Sequence, residues 1–151
     1  MTQLTTHFTL SEFTDSQTAA RKGLHNVPSS HSQEHKNIQR TAEVMEQVRF
    51  ILGNKPILIS SGYRSPPVNA AVGGSKSSAH MSGLAVDFSC PGFGTPKHIC
   101  KTLEPHMREL GIDQLINEFP PSGWVHLGLS SGQPRCQCLT IDTNGTRSGF
   151  G

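Results

Sequence analysis

Ser78-Ala79-His80-Met81-Ser82-Gly83-Leu84-Ala85-Val86-Asp87 decides how the chain must fold, because it carries an imidazole and a carboxylate seven residues apart. Both groups are ligands for a divalent metal such as zinc. Fully extended, the segment would hold their Cα atoms roughly 23 Å apart at about 3.3 Å per residue, too far for short side chains to share one ion. The chain must therefore turn back between them. Gly83 is the natural place, since a residue without Cβ takes positive φ without strain. Beyond it, Leu84, Val86 and Phe88 alternate with Ala85, Asp87 and Ser89, the pattern of a strand with one apolar face and one face bearing the carboxylate. A loop histidine is thus expected to fold over a strand aspartate.

Two ligands do not complete a site. The best third candidate is His126, in Gly123-Trp124-Val125-His126-Leu127-Gly128-Leu129, where alternation again sets an imidazole opposite an apolar face. His80, Asp87 and His126 would form a His2Asp set with one open position, the stoichiometry of a catalytic rather than a structural zinc site. On spacing alone, a single strand histidine is more often a packed or hydrogen-bonded residue than a ligand.

The 151 residues suit one domain with a real core, and 15 glycines with 34% hydrophobic residues suit a loop-rich one. A net charge of +2, with 13 basic residues scattered along the chain, gives no nucleic-acid footprint. The start, Met1-Thr2-Gln3-Leu4-Thr5-Thr6-His7, has neither the basic region nor the apolar run of a signal peptide, and no stretch is long enough to span a membrane. Synthesis in the cytoplasm without membrane insertion is the expectation. The four cysteines, Cys90, Cys100, Cys136 and Cys138, match no common zinc-ribbon spacing and should be reduced there. Cys100 reads as helix core; Cys136-x-Cys138 is open to oxidation or metal binding.

In order, residues 8–24 read as a short amphipathic helix and 26–30 as a loop. From about Ser32 to Leu52 the residues Ile38, Ala42, Met45, Val48, Ile51 and Leu52 recur on one helix face, with Gly53 as cap. Pro56–Ser60 reads as a buried strand and Pro66–Val72 as a short helix opened by proline. Thr95-Pro96 starts another helix, which Pro105 should break. Asp113–Phe119 and Trp124–Leu129 read as a β-hairpin. A three-residue loop would pair Glu118 with His126, and a four-residue loop would pair Asn117 with it. Residues 131–151, with a turn at Asn144-Gly145, form a tail that adds a short hairpin or stays mobile.

Four linked motifs then carry a resemblance: Ser60-Ser61-Gly62-Tyr63-Arg64-Ser65-Pro66; Val68-Asn69-Ala70-Ala71-Val72-Gly73-Gly74; Ser78-x-His80-x-x-Gly83-x-Ala85-x-Asp87; and Trp124-Val125-His126. In this order they resemble the M15 zinc peptidases, especially small phage-encoded members related to D-Ala-D-Ala carboxypeptidases and L-alanyl-D-glutamate endopeptidases. The resemblance covers roughly residues 7–130, taken as the peptidase domain (1–130) ahead of the tail. It implies an α+β fold of hedgehog/DD-peptidase type, a small antiparallel sheet with flanking helices, one Zn2+ ion, and hydrolysis of peptide bonds in the peptidoglycan stem peptide or cross-link.

Within it, Arg64 becomes a clamp for a substrate carboxylate rather than half of a structural salt bridge. Ser78 has two roles open to it, donating to a substrate oxygen or capping its own turn. Glu118 is the choice for general base, with Asp113 in reserve. Many relatives carry that glutamate three residues before the last histidine, where this chain has Gly123. An endolysin-like endopeptidase is the first expectation. A carboxypeptidase, or a non-catalytic wall-binding module on the same fold, is the alternative. A monomer, made in the host cytoplasm and released to the wall by a phage holin, completes the expectation.

Overall fold

The computed structural model describes residues 2–151. Its helices are α1 (Leu10–Thr14), α2 (Gln17–Lys22), α3 (Gln33–Ile51), α4 (Pro66–Ala71), α5 (Pro96–Leu103) and α6 (Met107–Leu110). Its strands are β1 (Leu58–Ser61), β2 (Ala85–Ser89), β3 (Ile112–Glu118), β4 (Trp124–Leu129), β5 (Gln137–Asp142) and β6 (Gly145–Ser148). Short 3-10 turns occupy Ala79–Ser82 and Glu104–His106. This is the mixed α+β content expected. Packing divides the chain into two compact units, one reaching to Glu46 and including Ser61–Val86, the other made of Gln47–Ser60 and Asp87–Gly151.

In the first unit the helix expected over residues 8–24 is two helices, because Ser16 caps the second: its Oγ accepts from the Ala19 amide at 3.1 Å. Phe8 and Phe13 are buried and meet edge to face, 6.0 Å between ring centres. The buried Asn26 satisfies three backbone groups at once. Its Nδ2 donates to the carbonyls of Thr14 (2.7 Å) and Tyr63 (3.1 Å), and its Oδ1 accepts from the Ser65 amide (2.8 Å). That clamp fixes the loop carrying Arg64. Along α3, Asn37 donates to the Ser82 carbonyl and Thr41 to the Gly83 carbonyl, each at 2.8 Å. Both bonds hold the turn that carries His80.

The sheet has six strands in the order β1-β2-β4-β3-β5-β6. β2 was expected to alternate an apolar face with one bearing the carboxylate; Ala85, Val86, Asp87 and Phe88 are all buried. Both faces of β2 are thus covered, and Asp87 on one of them faces His126. The hairpin β3–β4 is antiparallel, but its register differs from both expected ones: Glu118 lies opposite Trp124 and Ile116 opposite His126. The loop is therefore five residues, 119–123, two longer than the shorter loop considered from sequence. A shift of two preserves side-chain parity, so Glu118 still shares a face with His126 as a diagonal neighbour. The tail forms β5 and β6, an antiparallel hairpin whose first strand runs parallel to β3. The sheet is consequently mixed. Thr95 caps α5 as expected, accepting from the His98 amide, and Pro105 ends it in the Glu104–His106 turn.

Candidate metal centre

His80 sits in the 3-10 turn that Ser78 opens, with the Ser78 Oγ accepting from the His80 amide at 3.2 Å. Of the two roles left open for Ser78, capping is the one visible in the fold. Gly83 closes the turn at φ 78°, and a Cβ there would meet the Glu34 carbonyl oxygen at 2.7 Å and the Ile38 side chain at 2.9 Å. Only glycine fits on both counts. The reversal demanded by the ligand spacing is thus built where the sequence places it.

The His80 side chain is 3% exposed, and its Nδ1 lies 2.7 Å from the Gly62 carbonyl oxygen. A carbonyl can only accept, so Nδ1 carries the proton and the lone pair is left on Nε2. Metal-binding histidines are commonly oriented in this way, with the outer N–H on a backbone oxygen. The Gly62 carbonyl was not found from the sequence, although it lies in the Ser61-Gly62-Tyr63-Arg64 motif. A second tie, from the Arg64 amide to the His80 carbonyl at 3.0 Å, joins that motif to the turn.

In the second unit Asp87 and His126 face each other, Oδ1 to Nδ1 at 2.9 Å, with side chains 11% and 13% exposed. One donor atom from each of His80, Asp87 and His126 lies within 4.8 Å of the others. Ligand atoms at about 2.0–2.1 Å from a tetrahedral zinc are roughly 3.3 Å apart, so this donor set fits one ion with small side-chain adjustments. It contains one carboxylate and two imidazoles, the composition of an open site.

Glu118 ends β3, half-buried, on the face that His126 shares. Gly123 explains why the acid is not at its commoner position: a Cβ there would overlap the Glu118 carbonyl. Arg64 is half-buried, its Nη1 donating to Asn69 Oδ1 at 3.0 Å and its Nε to Ser61 Oγ at 3.4 Å. Asn69, itself buried, donates onward to the Ser75 carbonyl at 2.9 Å, which ties the guanidinium to the loop before His80. Asp113, the reserve base, sits at an irregularity in β3 between Ile112 and Gln114, and both its carboxylate oxygens accept from the Arg135 guanidinium. Arg135 holds the Asp113 carboxyl below its usual range, the bond from the guanidinium being the largest cause.

A carboxylate and an imidazole on neighbouring strands, with a second imidazole from a 3-10 turn, define a His2Asp metal-centre protein. Residues 6–127 match the family described as Peptidase M15, and the chain belongs to that family. A zinc D-Ala-D-Ala carboxypeptidase from Streptomyces albus G is 30% identical over 91 residues, covering 60% of this chain. The matched segment is 34% of that relative's length.

Proposed function

We propose that this chain is a zinc-dependent peptidase of bacterial peptidoglycan. The observation that carries the reading is the convergence of His80, Asp87 and His126 within 4.8 Å in a chain of the M15 family. Zinc in such a site would supply Lewis acidity, polarising a carbonyl and lowering the pKa of water toward neutrality. The protein supplies the rest. The Gly62 carbonyl accepts from His80 Nδ1 and so fixes the tautomer that leaves the lone pair on Nε2. The Glu118 carboxylate accepts the proton of the attacking water and returns it to the leaving amine. Arg64, held by Asn69 and Ser61, binds a substrate carboxylate and sets which bond lies over the centre. Ser78 Oγ spends its lone pair on the His80 amide and has its own proton to donate to a substrate oxygen.

The resemblance to small phage-type members favours an endolysin-like endopeptidase, cutting within the stem peptide or cross-link. The Streptomyces relative favours a second reading, removal of a terminal D-alanine. Mass spectrometry of muropeptides released from purified peptidoglycan separates them: two stem fragments support the first, free alanine the second. No release by the zinc-loaded protein, or equal release after chelation, refutes both. The place of action proposed is the wall, reached from the host cytoplasm through a hole-forming partner of holin type. Cells expressing the chain should lyse only once the inner membrane is breached.

A further inference from the structure

The second unit holds a cluster that the peptidase reading does not use. Pro105 breaks the helix after α5, and the resulting turn brings Glu104 and Met107 to one wall of a cavity of about 300 Å³. Pro105 and Arg108 also line it, together with Cys136, just before β5, and Cys138 within it. Cys136 has φ 53°, the left-handed region that a β-substituted residue adopts only under constraint. Cys138 Sγ lies 3.3 Å from Met107 Sδ and 3.6 Å from Glu104 Oε2. Two thiols, a thioether and a carboxylate therefore gather at one half-open cavity, and none of the cysteines is in a disulfide.

We propose that Cys136, Cys138 and Met107 form a second metal site, distinct from the His2Asp centre, that takes Cu(I). The thioether decides the cation. Zinc is held by thiolate, imidazole and carboxylate, whereas a thiolate and thioether set selects the softer monovalent copper. Binding is a simple exchange without oxidation or reduction: two Cu–S bonds form to the cysteines, the Met107 sulfur adds a third, and both thiol protons leave to solvent. The resulting complex carries one negative charge, which the Arg108 guanidinium in the same cavity offsets. Burial, helped by Glu104, pushes the Cys138 thiol up to about 11.

The test is an anaerobic titration of the zinc-loaded full chain with Cu(I) against bicinchoninate as competing chelator, followed by metal analysis. One retained copper per chain with zinc content unchanged is the result expected. The double variant Cys136→Ser/Cys138→Ser should retain none, and Met107→Leu, a volume-conserving change, should weaken retention at least tenfold with the circular dichroism unaltered. No retention by the wild type, equal retention by the double serine variant, or uptake of a second zinc in place of copper would each overturn the site.

Discussion

The two ligand clusters of this protein solve opposite problems. At the His2Asp centre the donors are buried on a capped turn and interior strands, and His80 has its outer N–H committed to a backbone carbonyl. At the Cys136–Cys138 cavity the donors lie on a turn and a strand start, and their thiols must lose protons first. The difference is that a backbone carbonyl orients one donor in advance, whereas a thiol donor must shed its proton to bind.

The strongest way to break the contrast is to remove a prearranged ligand. His80→Ala or Asp87→Asn should reduce zinc content from one per chain to near none and abolish hydrolysis, as read by metal analysis beside muropeptide release. Next, Glu118→Gln should lower the hydrolysis rate by about 10²–10⁴-fold at unchanged zinc content. A smaller loss would move the base elsewhere. The sulfur cavity should respond to pH where the first centre does not depend on thiols: apparent Cu(I) affinity should rise by up to about a hundredfold from pH 6 to pH 7, two protons being released. A flat profile would mean the thiols are not the ligands.

Smaller effects report on the scaffold. Gly83→Ala should cost on the order of 1–3 kcal/mol, from positive φ and the clash with the Glu34 carbonyl, seen as a lower melting temperature. Smallest is the Asp113–Arg135 pair, whose guanidinium side is 61% exposed. Asp113→Asn should cost less than about 1 kcal/mol. Because the folded carboxyl titrates below its ordinary 3.8, the stability it adds is present above that value and fades as the pH falls further through the folded pKa. The variant's acid unfolding curve should therefore converge on the wild type's at the lowest pH.

Much of the centre was legible because its residues obey local rules. The span from His80 to Asp87 forced a reversal at Gly83, and Thr95-Pro96 and the α3 periodicity marked real elements. What could not be read depended on partners distant in sequence. Alternation gave the face of Glu118 but not its register, since a shift of two residues leaves every side chain on the same side. The burial of Ala85 and Asp87 beside Val86 and Phe88 depends on what packs over β2, not on its own pattern. The parallel pairing of β5 with β3 likewise had no local signature. The break at Ser16 was different: its capping signal was present, and the apolar pattern of residues 8–24 masked it.

Zinc K-edge absorption on the chain loaded with one equivalent of metal tests the shared cation most directly. A single shell of nitrogen and oxygen at about 2.0–2.1 Å, with scattering from two imidazoles and no sulfur, is the predicted spectrum. A sulfur shell at about 2.3 Å, or scattering from fewer than two imidazoles, would contradict it.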